Sequence, residues 1–207
     1  MFPVWTLFLL LLCYILGAVP FGSLVARQLA GIDLKKHGSG NTGAANAFRA
    51  LGWKGGLLVL ALDVLKGTVA VWLAYFTLLP NFLLPFARIG FGMAAIVGHN
   101  YSIFQGFKGG KGVATSLGVL LAISPKVALL AVLLWVGLVG LTRYSSVGSL
   151  GATAAVPVLM VVYGDSLIYV AFAFCAAAMT FHRHRANIER LRAGQELRID
   201  DRTLPKG

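Results

Sequence analysis

Long apolar runs separated by short polar connections organise this chain. Residues 1–26 are apolar apart from Pro3, Thr6, Pro20 and Ser23, long enough to cross a hydrocarbon core of about 30 Å. The run lacks a basic start and exceeds the apolar length of a signal peptide, so it reads as a retained span. A second run, 55–79, is interrupted by Asp63 and Lys66, and a third covers 86–104. Four shorter runs follow, 113–123, 127–142, 150–163 and 166–181, divided by Ser124-Pro125-Lys126 and by Gly164-Asp165. The pattern predicts an all-α integral membrane protein, a polytopic helical bundle.

Two topologies compete. If each late run crosses, there are seven spans; if each pair forms one kinked helix, there are five. Five spans would draw Lys126 and Asp165 into the bilayer, at roughly 2.5–3.5 kcal/mol each near its centre. Seven spans need short helices, accommodated by local thinning or by burial of their ends in the bundle. Seven is the expectation.

With the N-terminus outside, the basic residues then sort by side. Of 18 Lys and Arg, only Arg88 and Lys126 fall in outer connections, and Lys66 lies within a span. The rest face inward, as the positive-inside rule requires, and the C-terminus is cytoplasmic. Outer connections are too short to carry chemistry, so the working face is cytoplasmic. No repeat or second domain is visible. Residues 1–207 form one transmembrane domain, with 182–207 a basic cytoplasmic tail in which Ile188 and Leu191 suggest an interfacial helix.

Composition narrows the class. The 207 residues are 58% hydrophobic and only 12% charged, about half the charge of a soluble domain. A soluble globular enzyme, a disordered regulator and a disulfide scaffold are excluded, and Cys13 and Cys175 lie in apolar runs as small hydrophobes. A formal net charge of +11 would suggest nucleic acid in a soluble protein. Here, between apolar segments, it points to anionic headgroups or phosphorylated substrates and to no nucleic acid.

Two polar connections concentrate chemistry. The first, 35–49, reads KKHGSGNTGAANAFR. Its glycines let backbone N–H groups approach an anion, Ser39 can donate a hydrogen bond, and Arg49 can grip phosphate oxygens bidentately. The second, Gly106-Phe107-Lys108-Gly109-Gly110-Lys111-Gly112, runs into a helix and has the ingredients of a phosphate cradle. It is no Walker A loop, because Gln105 and Gly112 stand where glycine and Ser or Thr are needed. The blander reading of each, a solvated turn or a headgroup anchor, leaves the donors or the Gly-Gly pair unexplained. Further on, the turn containing Ser149 adds hydroxyls. His184 and Asn187 share one helical face, whereas His182 reads as surface. Within the spans, Asp63 and Lys66 stand three apart and neutralise each other by default, and His99 and Asn100 read as structural. With so few acids the site suits negative charge, and neither a metal nor a cofactor is called for.

Taken together, residues 38–49, 98–112 and 184–196 resemble the bacterial membrane acyl-phosphate:glycerol-3-phosphate acyltransferase family (the PlsY type) over nearly the whole chain. The family pattern often has Thr before the motif asparagine, where Ala45 precedes Asn46 here. The resemblance implies an enzyme of the bacterial inner (cytoplasmic) membrane that moves a fatty acyl group from acyl phosphate to the 1-hydroxyl of glycerol 3-phosphate. Its products are lysophosphatidic acid and inorganic phosphate, in the first acylation of phospholipid synthesis, and a soluble enzyme making acyl phosphate is an implied partner. The implied catalytic residues are Ser39, Arg49, His184 and Asn187. Asn41, Asn46, Lys108, Gly109, Gly110, Lys111, Gly112 and Ser149 bind substrate or phosphate, and Glu196 is structural.

The residues' own chemistry agrees. Acyl phosphate is already activated, so the enzyme must chiefly place a hydroxyl about 3–3.5 Å from its carbonyl and hold two phosphates against mutual repulsion. The proton acceptor is either His184 or the substrate's own phosphate. Two rivals remain. An anion transporter is supported by the intramembrane Asp63–Lys66 pair but should bind at the midplane from both faces. A transferase acting on a lipid carrier would need metal-binding acids in the inner connections, where Asp33 stands alone.

Overall fold

A computed structural model of the chain describes residues 2–202; Lys206 and the rest of 203–207 lie outside the described residues. Among the described residues nine α-helices run in order: α1 Phe2–Ala18, α2 Phe21–Ala30, α3 Ala44–Leu73, α4 Leu84–Asn100, α5 Val113–Ile123, α6 Pro125–Thr142, α7 Ser145–Val162, α8 Leu167–Arg183 and α9 Arg185–Arg192. Among those same residues there are no strands. The expected all-helical membrane bundle is therefore present. Five stretches, 4–30, 44–76, 81–105, 125–142 and 145–162, are long and apolar enough to cross a membrane. Helices α5 and α8 are apolar but shorter, which matches the seven runs of the sequence one by one.

Pro20 divides the first run. It has no N–H and disfavours helical backbone at Val19, so α1 stops at Ala18 and α2 begins at Phe21. The carbonyls orphaned there are satisfied from elsewhere: Ser102 Oγ donates to Ala18 O at 2.6 Å and Lys66 Nζ to Val19 O at 3.2 Å. Lys66 also meets Asp63 at 2.8 Å, so the expected pair exists and fastens the α1–α2 joint.

Helix α3 starts eleven residues before the apolar run at 55. Its first turns carry Asn46 and Arg49, and it kinks at Gly52, whose φ of 75° is open to glycine at little cost. Against α3 lies α5, so close that a Cβ on Gly67 would sit 2.1 Å from Thr115 O and one on Gly118 would sit 1.9 Å from Val64 O. Small residues permit this approach, which apolar lipid cannot drive by itself. At the far end of the bundle Ser124 Oγ bonds Asp165 Oδ2 at 2.7 Å, tying the α5–α6 turn to the α7–α8 turn. The largest core cluster joins α3, α4, α5, α6, α7 and α8 around Val71, Ile96, Val119, Val127, Met160 and Phe172.

Candidate functional site

A cavity of about 330 Å³ opens between α3 and α5 on one side and α6, α7 and α8 on the other. Its deep part is walled by Leu117, Leu120, Ala131, Val132, Val156, Met160 and Phe172. Its other end is polar, and three helices begin there: the starts of α3 (Gly43, Ala44, Ala45), α5 (Gly112, Val113, Ala114) and α7 (Ser145, Ser146) all line it. Each helix start presents unpaired N–H groups and the positive end of a macrodipole. Three starts around one space make an anion-binding end.

The side chains expected to act converge on this end. Ser39, Asn41, Asn46, Arg49, Lys111, Gly112, Ser149, His184 and Asn187 all line the cavity. Asn46 is the hub of the first connection. Its Oδ1 accepts from Ser39 N at 3.0 Å, and its Nδ2 lies within 3.1 Å of the carbonyls of Leu34, His37 and Asn41. With its polar atoms so committed, Asn46 shapes the loop that presents Ser39. Asn41 Oδ1 accepts from Gly43 N at 2.9 Å and so sets the start of α3.

Arg49 is 4% exposed. Its Nε donates to Arg198 O at 2.8 Å and its Nη2 to Leu197 O at 3.0 Å. The side-on edge of the guanidinium is thus taken, so the bidentate grip expected of Arg49 falls to its end-on N–H groups. Lys111 Nζ donates to Asn187 Oδ1 at 2.5 Å, Asn187 Nδ2 to Glu196 Oε1 at 2.5 Å, and Arg190 Nε meets Glu196 Oε2 at 2.8 Å. Glu196 is buried behind Asn187, a placement that fits a supporting part. Burial lowers the Lys111 ammonium to about 8, and Arg190, Arg49 and Arg183 push the same way against Glu196.

His184 caps the end of α8, where its Nδ1 bonds Thr180 O at 2.8 Å. A carbonyl partner assigns the proton to Nδ1 and leaves a lone pair on Nε2. Burial first, and the Lys111 charge next, lower this histidine to about 4, so the ring is neutral near pH 7. Ser149 Oγ donates to Ser145 O at 2.8 Å and accepts from Trp135 Nε1 at 3.2 Å.

Three expected residues stay off the cavity wall. The Lys108 side chain is exposed. Gly109 N bonds Asn100 O at 3.2 Å and Gly110 N bonds His99 O at 3.0 Å, closing the C-terminal end of α4. Those N–H groups are therefore spent, and the expected glycine cradle is replaced by the starts of helices. Their carbonyls are held by Arg183, whose Nη2 lies 2.9 Å from both oxygens and whose guanidinium stacks 5.2 Å over Tyr101. Arg183 and Trp135 escaped sequence reasoning because a basic residue at a span's end and an aromatic within one are both ordinary there. Asp63 and His99, 3.6 Å apart, also reach the wall. His182 is exposed, as expected.

These features define a class: an integral membrane protein whose internal site joins an anion-binding end to an apolar one. The chain belongs to the glycerol-3-phosphate acyltransferase family, whose model matches residues 7–194. It is 46% identical over 199 residues to a glycerol-3-phosphate acyltransferase of Thermus thermophilus, covering 96% of each chain. It is 44% identical to that of Aquifex aeolicus, covering 93% of this chain and 98% of the other. The fold matches crystal structures of PlsY, an integral membrane glycerol 3-phosphate acyltransferase, in its glycerol 3-phosphate and lysophosphatidic acid forms, with TM-scores of 0.86 and 0.84 at 42% identity. Each comparison covers 93% of this chain and 94% of the other. The protein is accordingly an acyltransferase of glycerol 3-phosphate.

Proposed function

We propose that the enzyme takes its acyl group from acyl phosphate and places it on the 1-hydroxyl of glycerol 3-phosphate, releasing lysophosphatidic acid and inorganic phosphate. The observation that carries this reading is the single cavity with two unlike ends. An acyl chain suits the wall from Leu117 to Phe172, and phosphates suit Arg49, Lys111 and the three helix starts. An acyl-CoA donor would bring a large polar carrier as well as a chain and an anion. Acyl phosphate brings only a chain and a second anion.

In the reaction the glycerol oxygen attacks the acyl carbon, the new C–O bond forms, and the bond to the phosphate oxygen breaks with its electron pair leaving on phosphate. Neutral His184 accepts a hydrogen bond from the attacking hydroxyl through Nε2. Because the protonated ring is disfavoured, the proton passes readily to the departing phosphate, which becomes the final acceptor. The Ser39 hydroxyl, the helix starts and the end-on N–H groups of Arg49 stabilise the oxyanion as it develops. Asn187 holds Lys111, and Glu196 holds Asn187. Ser149 narrows the site from α7. Lys108, Gly109 and Gly110 contribute by carrying Lys111 into place.

The whole chain works as one domain with seven crossings in the bacterial inner membrane, its polar end toward the cytoplasm. The distribution of Lys and Arg supports this orientation, and the hydrogen bond between the Ser124 and Asp165 turns keeps those two connections together at the other end. Acyl phosphate would then arrive from a soluble enzyme on the same side. The test is phosphate release from acyl phosphate by purified protein in detergent. Release that requires glycerol 3-phosphate and ignores chelator is expected; release indifferent to the acceptor sinks the reading.

A further inference from the structure

Beyond the residues at the reacting end, the chain's last described segment contacts two side chains of the site, Arg49 and Asn187. Gly194, with φ of 68°, reverses the chain after α9, and Gln195 N bonds back to Arg190 O at 2.8 Å. The returning segment then runs behind the polar side chains and is fastened along its length. Glu196 turns inward to Asn187 and Arg190. The carbonyls of Leu197 and Arg198 receive Nη2 and Nε of Arg49. Ile199 N donates to Arg143 O at 2.8 Å, in the α6–α7 connection, and Asp200 pairs with Arg143 at 2.6 Å. Arg202 lies against the α3 kink, 2.8 Å from where a Cβ on Gly52 would stand.

The chemistry of these contacts is specific. A guanidinium has five N–H groups in a planar fork. This segment consumes the Nε–Nη2 edge and leaves Nη1 with one Nη2 hydrogen. Since Arg49 also lines the cavity, its rotamer and the edge it offers are fixed by main-chain atoms 148 and 149 residues away in sequence. A long, flexible side chain held in advance loses less freedom when an anion binds. The segment lies beyond residues 7–194, the stretch matched by the family model.

We propose that residues 196–200 are a positioning strap that presets Arg49 for end-on binding of the glycerol 3-phosphate anion. This rests on the assigned acceptor, so the test separates the two. Glycerol 3-phosphate binding is measured by calorimetry without donor, and turnover with acyl phosphate is measured beside it. Ile199→Pro removes the N–H that anchors the strap to Arg143, and a chain ending at Glu196 removes the two carbonyls while keeping the Asn187 contact. Either variant should weaken acceptor binding by about tenfold and raise KM more than it lowers kcat, at unchanged melting temperature. In an Arg49→Lys background, which has no side-on edge to hold, the same changes should cost less than about twofold. Arg192→Ala, exposed on α9, should bind as wild type does. Equal losses in both backgrounds, or wild-type affinity in both strap variants, overturn the strap. A wild-type enzyme that binds acceptor but releases no phosphate from acyl phosphate overturns the donor reading and leaves the strap standing on the binding data.

Discussion

The two glycine-rich connections look alike in sequence and work in opposite ways. The one from Leu34 to Asn46 is held by a side chain: Asn46 gathers Leu34, His37, Ser39 and Asn41 around one amide. The one from Gly106 to Gly112 is held through its own backbone: the N–H groups of Gly109 and Gly110 bond the end of α4, and their carbonyls accept from Arg183. The first presents a short hydroxyl and the start of α3. The second is a rigid bracket for one long cation, Lys111. Glycine density alone thus does not announce an anion nest; which way the N–H groups turn decides it.

The comparison makes Arg49, on the helix that the first connection opens, the most sensitive point. Arg49→Ala should lower turnover by about 10³-fold or more, because it removes both the charge facing the reacting groups and the strap's receptor. The bundle should still purify as a folded monodisperse protein, since its apolar core lies elsewhere. Wild-type turnover in that variant would break the account of the polar end. Next in size comes Gly110→Ala. A Cβ there would stand 2.0 Å from His99 Nε2, inside a buried wall. Relieving that clash moves the bracket, and catalytic efficiency should fall by about 10²-fold with Lys111 itself intact. By contrast, Gly106→Ala meets nothing within 4 Å but must hold a φ of 61°, so it should lose stability by about 1 kcal/mol and little efficiency.

Much of this was legible in the chain. Apolar runs give the helices, and the breaks at Ser124 and Gly164 fall where α5 and α7 end. Most of the residues flagged for chemistry do face one cavity. What escaped has physical reasons. The start of α3 within Gly-Ala-Ala-Asn-Ala is hidden in the sequence, because small residues after a turn look like loop until the tertiary contacts of Asn46 and Arg49 are known. Pro20 splits the first run, yet a proline within a long apolar stretch is also tolerated as a kink. The convergence of three helix starts depends on packing between distant segments. The strap is invisible because main-chain carbonyls, which every residue has, make its decisive contacts. Conversely, the sequence overstates the glycine cradle, because composition cannot show that the N–H groups of Gly109 and Gly110 already serve α4.

Lys111 sharpens the contrast at the next scale. Lys111→Ala should raise KM for glycerol 3-phosphate by about 10–100-fold while kcat changes less, the cost of one charge-assisted contact. The pH profile carries an independent check. Burial holds this ammonium at about 8, so it is charged below that value and neutral above it. Acceptor affinity should therefore hold steady near pH 7 and fall as pH rises past about 8, roughly tenfold per unit. Lys111→Arg keeps its charge throughout this range and should flatten that limb, whatever it does to the absolute rate.

Lys108 offers the smallest effect and the finest cut. It stands two glycines from Lys111 in the same bracket, carries the same charge, and has the same claim on phosphate by sequence. Its side chain is exposed and off the cavity wall, whereas Lys111 reaches inward to Asn187 at 2.5 Å. If long-range charge alone drew the substrate, the two lysines would be nearly interchangeable, and both effects would shrink together as salt screened them. If placement decides, Lys108→Ala should alter KM and kcat by less than about twofold at 0.15 M salt, while the Lys111 effect persists as salt is raised. Steady-state kinetics of both variants at two ionic strengths separate these cases, because a buried contact is screened much less than an exposed charge.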